Sequence, residues 1–159
     1  MFTIKPAQEK DVPLLLEFIR ELAEFEKRAH EVVATEALLR ENFFGKLKCA
    51  EAVIGSLNEQ PVATGIYFYT YSTFLGRPSL YVEDVYVRPE FRSKGFGKAL
   101  FVYFAKVAVE RGCGRMEWSV LDWNQKAIDF YDRLGAHKID EWKKYRLSGP
   151  ALVQLGGRE

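Results

Sequence analysis

The fold class this sequence predicts is α+β: one domain with a mixed, mostly antiparallel central sheet flanked by helices on both faces. Three observations predict it. The elements run strand, two helices, antiparallel strands, helix, strand, helix, strand, which is a layered arrangement of sheet and helices. The chain has 159 residues, enough for one core and short for two. No repeat, low-complexity tract or linker divides it, so a single domain over 1–159 is expected, ordered over about 2–147, with a frayed tail at 148–159.

Each element has a local reason. Phe2-Thr3-Ile4 alternates like a short strand and Lys5-Pro6 stops it. Val12, Leu15, Leu16, Ile19, Leu22 and Ala23 then fall on one helical face, with Pro13 in the first turn, where a missing amide proton costs least. Thr35 is placed to cap a shorter helix carrying Leu38, Leu39, Asn42 and Phe43. Cys49 to Leu57, Val62 to Tyr71 and Leu80 to Val87 read as three strands of a meander, separated by Asn58-Glu59-Gln60 and by a turn at Gly76-Arg77-Pro78. From Gly97 to Arg111 the period becomes helical, and apolar residues beside the main face predict packing on more than one side. Met116 to Val120 is the next strand. Asn124 caps a helix bearing Ala127, Ile128, Tyr131 and Leu134, which Gly135 ends in the left-handed conformation. Trp142 to Leu147 is expected as the last strand.

Composition excludes several function classes. There are 23 basic and 22 acidic residues, a net charge of +1, so no footprint for nucleic acid or anionic lipid is present. The two cysteines, Cys49 and Cys113, have no metal-ligand spacing and suit a reducing compartment. Lys5, Glu9, Lys10 and Asp11 interrupt the N-terminus, and no apolar run approaches the roughly 20 residues a membrane span requires. The expected setting is cytoplasmic, with no membrane, nucleic acid or metal.

The most informative stretch is the strand ending at Val87, followed by Arg88-Pro89-Glu90-Phe91, then Arg92-Ser93-Lys94-Gly95-Phe96-Gly97, then a helix from Lys98. The first amides of a helix have no partners within it and carry the positive end of its dipole, so they suit a phosphate. Gly95 and Gly97 would let the backbone approach it, and Arg92, Lys94 and Lys98 would supply charge. The same spacing also fits an ordinary strand-to-helix turn. It is neither a dinucleotide fingerprint nor a phosphate loop ending in Gly-Lys-Ser/Thr.

Arginine, two residues, Gly, one residue and Gly at the start of a helix resembles the acetyl-coenzyme A signature of the GNAT superfamily of N-acetyltransferases; Arg92, Gly95 and Gly97 match it. Asn124 to Tyr131, with Leu134-Gly135-Ala136, resembles that superfamily's late helix. The spermidine/spermine and thialysine branch is resembled further through Ile4-Lys5-Pro6-Ala7, Glu21 to Glu26, Tyr67 to Tyr71, Tyr81-Val82-Glu83-Asp84 and Trp123-Asn124. The resemblance implies a sheet splayed near its middle to admit acetyl-CoA, with pantetheine amides pairing at Val85, Tyr86 and Val87. It implies pyrophosphate on Arg92, Ser93, Lys94, Gly95, Phe96, Gly97 and Lys98, and further coenzyme contacts at Asn124 and Ala127. A homodimer is also implied.

On a regular strand Glu83 and Asp84 point to opposite faces, so they pair as acid and base only if a bulge intervenes. By resemblance Glu83 is the substrate-facing glutamate that takes the amine proton; by itself it reads as a solvated or salt-bridged carboxylate. Tyr131 has the spacing of a core tyrosine, whereas by resemblance it protonates the departing thiolate. A phenol with pKa near 10 fits that role. Glu26, Glu117 and Trp118 match substrate-lining positions, though Glu26 ends a charge-rich helix. His30 and His137 adjoin no nucleophile. The expected activity is acetyl transfer from acetyl-CoA to a primary amine of a small cationic acceptor such as a diamine, polyamine or lysine analogue, by direct attack in a ternary complex. The alternatives are a non-catalytic acetyl-CoA-binding module and an enzyme acting on a protein amine.

Overall fold

The computed structural model describes residues 1–157, which form two compact units, one from Met1 to Leu121 and one beginning at Asp122. In the first, five strands lie in the order β1 (Phe2–Pro6), β2 (Glu51–Leu57), β3 (Gln60–Ser72), β4 (Arg77–Val87), β5 (Arg115–Trp118). The first three pairings are antiparallel and β4 with β5 is parallel, giving the mixed, mostly antiparallel sheet that the element order predicts.

Helices cover both faces of that sheet. α1 (Val12–Phe25) and α2 (Glu36–Phe44) bury Val12, Leu15, Phe18, Leu39 and Phe43 against Ala52, Ile54, Ile66 and Tyr86. α3 (Phe96–Glu110) buries Leu100, Phe104 and Val107 against Val53, Ala63, Tyr67, Leu80 and Val82. Successive strand residues point to alternate faces, which is why Val53 and Ile54 fall into different cores. Fully burying a ring such as Phe18 or Phe104 is worth about 3 kcal/mol. Thr35 caps α2 by accepting from the Leu38 amide at 3.2 Å. α3 is packed on one side only, contrary to expectation, because Val102 and Val109 on its outer face are exposed.

The second unit begins with α4 (Gln125–Arg133). Asn124 Oδ1 accepts from the Ala127 amide at 3.3 Å, and Gly135 ends the helix region at φ 88°, both as its sequence predicts. Two expectations for the rest fail. Trp142 to Leu147 is no strand: these residues pair with nothing in the sheet, and Trp142 and Tyr145 are 74% and 92% exposed. A strand exists only where its backbone finds a partner. Within the tail expected to fray over 148–159, α5 spans Gly149–Leu155, with Pro150 in its first turn, and 158–159 lie outside the described residues.

Candidate active site

The site starts from one extra residue in β4. Ile66 pairs with Asp84 and Tyr67 with Val82, so Glu83 has no partner on β3. This is a β-bulge, which inserts one residue and reverses the alternation beyond it. Leu80 and Val82 lie in the α3 core, whereas Tyr86, of the same parity, lies in the α1/α2 core. Asp84 is thereby turned to the α1 side of the sheet together with Tyr86. The bulge that the adjacent carboxylates require is present.

Glu26 arrives there from α1. It is the C-cap of that helix, its amide donates to Leu22 O at 2.9 Å, and Lys27 follows at φ 59°, in the left-handed region. A carboxylate is poorly placed at this end, where the helix dipole is negative. Burial, and then the charges of Glu83 and Glu26, push the Asp84 carboxyl up to about 7. Burial also raises Glu26; Arg28 opposes this and Glu83 adds to it. Three acids therefore share one field. Glu117 does not join them: it pairs with Arg115 at 3.1 Å, and Trp118, on the opposite face of β5, packs on Phe101 at 4.9 Å between ring centroids.

The strand-to-helix turn that the sequence offers for a phosphate lies further along β4. β5 pairs only with Ser79 to Val82, so from Glu83 to Val87 the β4 edge on that side has no strand partner among the described residues. The sheet is open from the bulge onward, alongside Val85, Tyr86 and Val87. Past Val87, Ser93 at φ 63° and Gly95 at φ 82° turn the chain into α3, whose N-terminus has no side-chain cap. A left-handed residue leading into uncapped helix amides is an anion-binding concavity. Nothing lies within 4 Å of a Cβ built at Gly95 or Gly97. The turn is tied to the sheet by Arg92, whose Nε donates to Val87 O at 2.7 Å and whose guanidinium lies 4.5 Å from the Phe25 ring centroid. Arg92 thus straps the turn in place, while Lys94 and Lys98 remain its side-chain cations. These groups fit a pyrophosphate in charge and in backbone geometry. In the second unit, half-buried Tyr131 shares a face of α4 with Ala127, Ile128 and Leu134, with its ring 5.6 Å from that of Phe130.

The sequence profile of the acetyltransferase (GNAT) family matches residues 16–136, most of the chain. The chain belongs to the GNAT family. It is 39% identical to the thialysine N-epsilon-acetyltransferase of Bos taurus over 98% of this chain and 97% of that one. It is 31% identical to the L-ornithine N5-acetyltransferase of Arabidopsis thaliana, covering 96% and 86%. Among solved structures, an integron cassette protein from the mobile metagenome of V. cholerae superposes with a TM-score of 0.82 at 22% identity, covering 99% and 98%, which shows the fold. This GNAT protein is an N-acetyltransferase, and its reaction is acetyl transfer to an amine.

Among the residues of this GNAT site, Asp84 is the one that sequence reasoning passed over, since alternation sends it away from Glu83. The available signal was the acidic pair itself within an apolar strand: burying a carboxylate has no structural benefit, so such a pair points to a bulge or to a function.

Proposed function

We propose that this enzyme transfers acetyl from acetyl-CoA to the primary amine of a small cationic acceptor, a diamine, polyamine or lysine analogue, by direct attack within a ternary complex. The observation that carries the reading is the bulge at Glu83, which gathers Glu83, Asp84 and Glu26 on one side of the sheet. An alkylammonium must lose a proton before its nitrogen can attack. A carboxyl poised near 7 is matched to that work at neutral pH, so Asp84 joins Glu83 as the proton acceptor. Glu26, held rigidly at the end of α1, pairs with a second ammonium and aims the first. The relatives named for thialysine and L-ornithine support this choice, as each of those amino acids carries two amines.

Acetyl-CoA supplies the activated acyl group as a thioester. In this reading its pyrophosphate lies on the amides following Gly95 and its amides pair along Val85 to Val87. Asn124 and Ala127 add contacts, and Tyr131 returns a proton to the thiolate. The roles in the second unit rest on the resemblance, as does a homodimer; one catalytic domain over 1–159 rests on chain length and a cytoplasmic setting on composition. Glu117 and Trp118 belong to the acceptor lining in the same sense.

The test is release of free coenzyme A thiol with a panel of diamines, polyamines, lysine analogues, monoamines and peptides. Diamines and lysine analogues are expected to exceed monoamines of equal length by tenfold or more in kcat/KM, and Glu26→Gln is expected to erase most of that margin. Equal efficiencies in the wild-type enzyme would overturn the acceptor assignment.

A further inference from the structure

Two strands across the sheet from the β4 bulge, a further pocket opens where the end of α2 meets β2, β3 and α3, with about 390 Å³ of unfilled space, part of it open to solvent. One end is apolar, formed by Pro6, Ala7, Phe43 and Phe44; the other carries Lys48, Glu51, Tyr67, Tyr103 and Arg111. This is the division expected of a small-molecule site, an apolar body with a few convergent polar groups.

Its deepest polar group is Tyr67. The residue is only 3% exposed, yet its hydroxyl meets no hydrogen-bond partner among the described residues, and neither does that of Tyr103. Neither oxygen is sealed from solvent, so both hydroxyls face the pocket with their hydrogen-bonding capacity open to a ligand. The neighbouring charges are already committed. Arg111 donates to both Glu51 oxygens, at 2.5 and 3.2 Å, and to the Tyr69 hydroxyl, and Lys48 lies 3.6 Å from Glu51. Two cations against one carboxylate leave this corner with one net positive charge. Burial first, and then the Glu51 charge, push the Tyr67 phenol well above its ordinary range, and burial raises Tyr103 as well. Both phenols stay protonated at neutral pH and serve as donors. The groups left to bind are donors in a positive field, beside an apolar wall.

We propose that this pocket is a binding site for a small monocarboxylate with a compact apolar body, separate from the acetyl-transfer site. The carboxylate accepts from the Tyr67 and Tyr103 hydroxyls and faces Lys48 and Arg111, while the apolar body lies on Phe43 and Phe44. Benzoate is a suitable probe, with benzylamine as its cationic counterpart. Calorimetric titration of the full chain is expected to give saturable one-to-one binding of benzoate and weaker or no binding of benzylamine. Tyr67→Phe removes only a hydroxyl without a partner, so the unfolding temperature should hold while benzoate affinity falls tenfold or more; Tyr103→Phe should weaken it as well. Saturating coenzyme A should leave benzoate affinity within twofold of its value alone. The proposal is overturned if benzoate does not saturate, if benzylamine binds as well, if both phenylalanine variants bind benzoate unchanged, or if coenzyme A displaces it. None of these outcomes depends on which amine the enzyme acetylates.

Discussion

Asp84 carries the consequence of the bulge in β4, because its carboxyl, the proton acceptor in the proposed reaction, is also a cost to the fold. Its pKa is raised to about 7, so between roughly pH 4 and 7 the folded chain holds a proton there that the unfolded chain has released. The sign follows: this contribution is fully present below about pH 4 and is lost as pH rises through 7. The loss has an upper limit of about 1.4 kcal/mol per pH unit, reduced by solvent screening at this half-buried position. Asp84→Asn should therefore raise the unfolding temperature at pH 8 but not at pH 4, and should lower kcat/KM and remove an ionisation near 7 from its pH profile. Thermal unfolding at the two pH values, with a pH-rate profile, checks both parts. At the proposed coenzyme end, Gly95 sits at φ 82°, where a β-branched residue is strained and its side chain would fill the approach of a phosphate. Gly95→Val is expected to weaken acetyl-CoA binding at least tenfold by calorimetry, in a protein that still folds. These two residues differ in legibility. Gly95 was visible from its place between a strand and a helix, whereas the orientation of Asp84 depends on how β4 registers with β3. Pairing register is a tertiary outcome that a run of apolar residues does not encode.

At the scale of elements, the site depends on what holds α1 and α3 to the sheet. Arg88, just past β4, pairs with Glu21 at 2.8 Å and with Glu17, donates to Pro61 O at 3.2 Å, and lies 4.8 Å from the Phe18 ring centroid. Burial raises Glu21, but the Arg88 hydrogen bond and charge outweigh it and the net shift is downward. These contacts tie α1, which carries Glu26, to the strand that carries Asp84. Arg88→Met should cost about 1–3 kcal/mol by leaving two acids together, and its effect on kcat/KM should exceed that of Glu17→Gln. Denaturant unfolding and steady-state kinetics measure the two effects. On the other face, Gly65 lies against the Phe104 ring so closely that a Cβ would overlap it. Gly65→Ala is therefore expected to destabilise the protein by about 1–3 kcal/mol through overpacking, again by denaturant unfolding. Helices and their caps were legible because periodicity and capping are local, as Thr35 and Asn124 illustrate. The Trp142 to Leu147 segment misled because its aromatic and aliphatic residues suit a strand but have no partner strand among the described residues, and nothing local reports that.

For the whole molecule, the notable quantity is the contrast between a net charge of +1 and a site where three carboxylates share one field. A nearly neutral protein does little to attract a cation from a distance, so for the proposed cationic acceptor attraction must come from the site's own acids, across a few ångströms. Salt screens charges over about 8 Å at physiological ionic strength and over roughly 3 Å at 1 M. Partly buried acids close to their ligand are screened less than exposed ones, which makes a modest salt dependence the signature of this arrangement. For a diamine, kcat/KM is expected to fall about three- to tenfold between 0.05 and 0.5 M salt, mostly through KM. A monoamine of equal length lacks the second ammonium and should lose less. Glu26→Gln should bring the two amines together, since the diamine then has no anchor for its distal charge. Steady-state kinetics across the salt series, with both amines and both proteins, separates this from long-range steering by the whole surface, which would slow the two amines alike and leave Glu26→Gln as salt-sensitive as the wild-type enzyme.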